Sequence, residues 1–328
     1  MHIEPPYPGL WKELKQGNIV AFLGAGASLS SRPPNVVWNE QSDFLPKGSE
    51  LSQWLADEVC FPSADANERR DLAKVASYFV SQNDRDLLRQ RLRQVFARTY
   101  QPGSIHQFLA EVDVPLLIVT TNYDNLIELC FQRAGKPYHL VVHPTDQKEY
   151  AASVLWWRPG ASEPEPKPPT TLPLSLTDTT IIYKMHGSAG TTSDKWDNFV
   201  VTEEDYMDFL SRMSSQAAIP KRFMLEFRTR RFLFLGYSLA DWNLRVILRS
   251  LRTSNAGVPA DPSLTPIVQA EPSSGEGRRS WAIQVQPSDL EKWLWDKRQV
   301  NIYDMKIEDF VERLRRARNP VAAPPANG

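Results

Sequence analysis

What most constrains the fold of this chain is one local pattern that occurs four times: a short apolar run of strand type ending in a small, polar or glycine-rich turn. It stands at Asn18–Gly24 (NIVAFLG, then AGAS), Pro115–Thr120 (PLLIVT, then TNYD), Thr180–Met185 (TIIYKM, then HGS) and Arg231–Gly236 (RFLFLG, then YSLAD). Short runs that are apolar throughout, rather than alternating, suit strands buried on both faces. Helical spacing fills the intervals: Leu51, Trp54, Leu55 and Val59, then Leu72, Val75, Ala76 and Phe79, a third helix over Asp84–Arg98, and a fourth over Asn125–Ala134. Strands alternating with helices predict a doubly wound α/β fold with a mainly parallel, Rossmann-like sheet. Ligands of such sheets sit beyond the carboxyl ends of the strands, where all four turns fall.

The rest of the chain fits around that frame. Ser104–Gln107 (SIHQ) predicts a capping box, and Tyr138–Val142 and Val154–Trp157 two short strands. Six prolines between Pro159 and Pro173 exclude a helix or a central strand and predict an extended surface loop. Thr202–Asp205 caps a helix reaching about Met213, Ala217–Arg228 supplies another, and Ser238–Asp241 opens one carrying Leu244, Ile247, Leu248 and Leu251. Late strands are expected at Thr265–Ala270, Trp281–Val285 and Val300–Tyr303, a closing helix at Lys306–Arg318, and a disordered tail over 319–328. The domain reading is a site-bearing unit over 1–255 with a helical insertion at 49–111. Residues 256–318 are either an extension of it or an interface module, with Trp281, Trp293 and Trp295 as core or as anchors.

Charge excludes some partners. Lys and Arg number 38 against 39 Asp and Glu, a net charge of −1, so no global field draws nucleic acid or acidic lipid. The arginines of 84–98 (Arg85, Arg89, Arg91, Arg93, Arg98) are expected on a solvated helix face. Cys60 and Cys130 are too few for a disulfide framework or a four-cysteine zinc site, which fits a reducing, cytoplasmic setting. No apolar stretch has the length of a membrane span or signal peptide.

Each turn has a chemical and a structural reading. Gly24, Ala25, Gly26 and Ser28 form a turn whose backbone can approach a pyrophosphate, or a merely tight connection. Leu29 stands where a dehydrogenase fingerprint wants a third glycine, and Pro33 and Pro34 stop any long helix, leaving a mobile loop over a ligand. Thr121, Asn122 and Asp124 offer an amide and a carboxylate for a water or a ribose hydroxyl, or caps for the next helix. His186 can take up a proton near neutral pH or serve as a structural ring. Gly236, Tyr237, Ser238 and Asp241 could contact a ribose or cap a helix.

Taken together and in this order, the four motifs resemble the sirtuin-like family, in particular its bacterial branch of NAD-consuming anti-phage proteins. The resemblance covers roughly residues 15–255. It implies NAD as substrate, with the Gly24–Ser28 loop on the pyrophosphate, Asn122 and Asp124 around the nicotinamide ribose, His186 as catalytic base, and the Gly236-Tyr237-Ser238 turn on the adenosine side. Two features of the protein-deacylating sirtuins are missing: the zinc module of two cysteine pairs, and a PDFR sequence where this chain has Arg32–Trp38 (RPPNVVW). Their loss argues against an acetyl-lysine substrate and for water as acceptor, with no zinc expected.

The expectation is therefore hydrolysis of NAD to nicotinamide and ADP-ribose. Against it stand a non-catalytic sensor of NAD or ADP-ribose and, third, a deacylase. The resemblance further implies gating, through homo-oligomerisation or a HerA-type ATP-driven translocase as partner.

Overall fold

The computed structural model describes residues 4–145, 148–190, 193–214, 219–237 and 279–318. The expected helix after Ser238, the strand at Thr265–Ala270 and the tail lie outside them. The apolar runs pair into a nine-stranded sheet. Its strands are β1 (Ile19–Leu23), β2 (Leu117–Thr120), β3 (Tyr138–Val142), β4 (Val154–Trp157), β5 (Glu165–Lys167), β6 (Thr180–Lys184), β9 (Arg231–Leu235), β10 (Ser280–Gln284) and β11 (Val300–Asp304), in the order β11-β10-β9-β1-β2-β6-β3-β4-β5. All pairs are parallel except β3·β4 and β4·β5. Two short strands, β7 (Gly187–Ser188) and β8 (Asn198–Phe199), pair separately.

Burial on both faces explains the unbroken apolar runs. Along β1, Ile19, Ala21 and Leu23 face one core, with α1 (Tyr7–Lys15), α7 (Ser104–Glu111), α8 (Leu126–Arg133) and α12 (Ile307–Arg318). Val20 and Phe22 face the other, with α9 (Glu203–Ser214), α10 (Lys221–Thr229) and α11 (Asp289–Asp296). Each large side chain so buried contributes about 1.5–3 kcal/mol of transfer free energy. β10 and β11 continue the same sheet past β9, so the segment from 280 onward extends the sheet directly.

Between β1 and β2 the chain leaves the sheet to form α2 (Ala25–Ser28), α3 (Gly48–Glu58), α4 (Ala66–Arg69), α5 (Leu72–Gln82) and α6 (Arg85–Phe96) before α7. Asp71 and Asp84 cap α5 and α6, accepting from Lys74 N and Leu87 N. The insertion has its own core, in which Leu51, Leu55, Phe79, Leu88 and Leu92 pack with Tyr123 of the TNYD turn and with Phe199. It therefore reaches the strand ends of the sheet.

The structure departs from expectation at several points. The α6 arginines are not a solvated face: Arg85 pairs with Asp205 at 2.8 Å and donates to Phe199 O, Arg89 donates to Asp197 O, and Arg93 pairs with Asp197. They tie the insertion to the segment leading into α9, and the signal missed was the acids waiting at 197 and 205. SIHQ forms no capping box; the N-cap of α7 is Gly103, and Ser104 Oγ is buried without a partner among the described residues. The segment after the glycines is pinned rather than free, because Arg32 forks onto both oxygens of Glu50 and holds that carboxyl down at about 2, while Trp38 is buried. The proline-rich loop contains β5, an outermost strand where Pro166 can forgo a donor. α10 begins at Lys221, after Pro220. Trp281 and Trp295 are core, whereas Trp293 is exposed. α1 and α11 were not foreseen; α11 opens with a capping box of Ser288 and Glu291.

Candidate active site

Strands β9, β1, β2 and β6 are consecutive and parallel, so the four polar turns emerge side by side at one end of the sheet. Gly24 follows β1 in extended backbone, and Ala25–Ser28 close the short helix α2. Gly24 N donates to Leu235 O at 3.0 Å and Gly26 N to Gly236 O at 2.8 Å, so these two amides bind the neighbouring turn. What the glycines supply is close approach: a Cβ on Gly26 would stand 2.8 Å from Gly236 backbone, and one on Gly236, at φ +65°, 2.1 Å from Ala27 N. Gly236→Ala is therefore expected to push the two turns apart. The check is urea unfolding of the variant; a stability equal to wild type would contradict it.

The β2 turn is wired into the same place. Asn122 Nδ2 donates to Gly24 O at 3.0 Å and to Ser28 Oγ at 2.8 Å, and Ser28 Oγ donates to Asp124 Oδ2 at 2.7 Å. Asp124 Oδ1 accepts from Leu126 N, so the helix-capping role is real and coexists with the link to Ser28. Both Nδ2 hydrogens of Asn122 being used, its remaining polar atom is Oδ1, an acceptor. Thr121 is half-buried and meets β1 through its amide, which donates to Leu23 O. Tyr237 packs its ring edge-on against Phe22 at 5.3 Å. Ser238 and Asp241 lie outside the described residues.

His186, two residues past the end of β6, lies beside this network and makes no hydrogen bond to it among the described residues. It is 4% exposed, its Nε2 has no partner among the described residues, and its ring meets Tyr206 and Phe209 of α9 edge-on at 5.5 and 5.2 Å. Burial pushes its pKa down to about 3, so the imidazole is neutral at pH 7. His143, just after β3, packs on the same Phe209 and is likewise pushed to about 3, first by burial and then by the charge of Arg212. The unfolded chain takes up these protons near pH 6.5, the folded chain only near 3. Stability therefore falls as pH drops through that window, by up to roughly 1.4 kcal/mol per pH unit for each ring. His143→Phe, which keeps a ring on Phe209, is expected to remove one ring's share of that slope in urea melts between about pH 6 and pH 4; an unchanged slope would contradict the assignment.

Residues that sequence reasoning missed hold the turn. Lys184 is fully buried in β6 and its Nζ donates to Tyr123 O, Asp124 O and Glu128 Oε1. A lysine inside the apolar run TIIYKM was the available signal. Tyr123 OH donates to Val200 O, and its ring lies edge-on to Phe96 and Phe199. His106 is buried close enough to Asp124 to feel its charge, and burial, the larger effect, lowers its pKa. A cavity of about 390 Å³ opens beside the glycines, lined by Gly26, Gly236 and Tyr237 and by the ends of β10 and β11. Among the described residues no group of three or more His, Cys, Asp or Glu could hold a metal ion, and no helix is long and apolar enough to cross a membrane.

A mostly parallel sheet with a glycine turn, a side-chain amide, a carboxylate and a histidine at adjacent strand ends is a Rossmann-like α/β fold. The family model of the SIR2-like domain matches residues 116–302, more than half of the chain, and the chain belongs to that family. It is similar to the NAD(+) hydrolase ThsA of Enterococcus faecium, 29% identical over 241 residues, which is 73% of this chain and 41% of that protein. The NAD(+) hydrolase ThsA of Acinetobacter baumannii is 28% identical over 242 residues, 74% of this chain and 40% of the relative. Defense-associated sirtuin 2 of Bacillus subtilis is 21% identical over 242 residues, 73% of this chain and 20% of the relative. The chain thus spans about two fifths or less of the length of these curated relatives.

Proposed function

We propose that the chain hydrolyses NAD at the nicotinamide N-glycosidic bond, giving nicotinamide and ADP-ribose, as an effector of anti-phage defence. The observation that carries this reading is the continuous network from Gly24 through Asn122 and Ser28 to Asp124, at strand ends adjacent to a buried, neutral His186. The names of the ThsA relatives support it.

On this reading the Gly24–Ser28 turn faces the pyrophosphate, and the 390 Å³ cavity beside Gly236 and Tyr237 takes the adenosine side, with Ser238 and Asp241 following. Asp124 and Thr121 border the nicotinamide ribose. The leaving pyridine is already cationic, so no general acid is needed as positive charge develops on the ribose. Asn122 Oδ1 orients the attacking water by accepting one of its hydrogens, and His186 takes a proton from that water or a ribose hydroxyl.

The assembly follows the same proposal: residues 1–255 carry the site, 256–318 extend it, and the cytoplasmic protein works as a homo-oligomer gated by a HerA-type partner. Exposed Leu290 and Trp293 on α11 support an interface there. Incubating purified protein with NAD tests the activity. Release of nicotinamide supports hydrolysis; stabilisation by NAD without release supports the sensor instead; NAD-dependent removal of an acetyl group from lysine would favour a deacylase.

A further inference from the structure

His186 is the base in the reading above, yet its Nε2 is buried with no hydrogen-bond partner among the described residues, and the residue is 4% exposed. A nitrogen that is to take a proton has to come within hydrogen-bond reach of a water or a hydroxyl. The ring is covered by α9, whose Tyr206 and Phe209 stand edge-on to it at 5.5 and 5.2 Å. The histidine's own backbone is held from the β7–β8 side. Val200 N donates to His186 O at 2.9 Å, and Gly187, at φ +93°, lies so close to β8 that a Cβ there would collide with Asn198 O. With the strand end fixed in this way, the helix is the element that has to yield.

The first half of α9 is held mainly by polar contacts. Ser77 Oγ of α5 accepts from Glu203 N and donates to Glu204 Oε2, both at 2.9 Å, and Arg85 of α6 pairs with Asp205 Oδ2 at 2.8 Å. Contacts of this kind, close to solvent, exchange for water at small net cost. In the first two turns only Phe209 is buried; Tyr206 is half-buried and Met207 exposed, so a single ring anchors that half of the helix in the core.

We propose that α9 is a cover: latched to the helical insertion through Ser77 and Arg85, it shuts Nε2 of His186 away from water and substrate, and NAD turnover requires it to shift. The inference rests on the reading of His186 as base. Both latch residues belong to the insertion, so whatever displaces α5 and α6 from α9 releases the base without touching the dinucleotide.

Labelling with diethyl pyrocarbonate, followed peptide by peptide in mass spectrometry, reads the cover without reference to turnover. In the unaltered full chain His186 is expected to react slowly. In Ser77→Ala with Arg85→Met it should react about tenfold faster, while half-buried His139, which accepts from Trp156 Nε1 on β3, keeps its rate and reports that the rest stays folded. Should the double variant fail to fold, Ser77→Ala alone decides, with a smaller rise expected. A His186 as reactive as His139 in the unaltered chain, or one whose rate ignores the latch in folded variants, would overturn the proposal. The requirement for movement is tested by Ser77→Cys with Glu203→Cys, which ties α5 to α9 once the disulfide forms. Turnover should then fall about tenfold or more and return on reduction; equal turnover in both states would overturn the proposal, and if no disulfide forms the labelling decides alone. A chain that releases no nicotinamide in any state would refute the hydrolysis reading instead, and the labelling would still decide whether His186 is covered.

Discussion

Replacing His186 with alanine is expected to lower NAD turnover by about 10²- to 10⁴-fold, the usual contribution of a positioned general base, while the protein stays folded. Among the described residues His186 is the imidazole that follows the four central strands, and burial keeps it in the neutral form a base must have at pH 7. Removing it leaves a small cavity under Tyr206 and Phe209, so circular dichroism and a melting curve must accompany the kinetics. Asn122→Ala acts differently, because its amide also ties Gly24 to Ser28. It should lose turnover through misplacement of water and of the glycine turn together. Full activity in His186→Ala would remove the base from the mechanism.

The largest expected loss of stability comes from Lys184→Met. The ammonium is fully buried, pairs with Glu128 at 2.9 Å, and satisfies two carbonyls of the TNYD turn. Removing one partner of a buried pair leaves the other charged and alone, which costs about 3–5 kcal/mol. Lys184→Met with Glu128→Leu removes both charges and should recover much of that loss in urea unfolding, though not the anchoring of Tyr123 and Asp124. Turnover should therefore stay low in the double variant even as stability returns. A single variant as stable as wild type would show that the pair does not hold the turn.

Much of this architecture was legible because its cause is local. Runs such as IVAFL and TIIYK can be buried on both faces only in a covered parallel sheet, and the glycine or polar residue ending each run marks the strand end. That the four turns share one end of the sheet followed from the fold class, since they all terminate parallel strands; that their strands are neighbours came only with the strand order. What escaped was long-range. Nothing near Arg85 announces Asp205, and nothing near Lys184 announces Glu128, because those partners meet only after the insertion and α8 have packed. The SIHQ capping box failed because Gly103 ends the preceding segment one residue earlier than the pattern assumes. Pro166 misled only in part: proline excludes a strand with neighbours on both sides, and β5 is the outermost strand.

The most direct measurement is a crystal structure of His186→Ala with NAD bound. The account predicts the pyrophosphate on Gly24–Ser28, the nicotinamide ribose against Asn122 and Asp124, and the anomeric carbon facing the space the imidazole has left. A dinucleotide seated elsewhere, or one whose nicotinamide ribose lies away from Asn122, would contradict it.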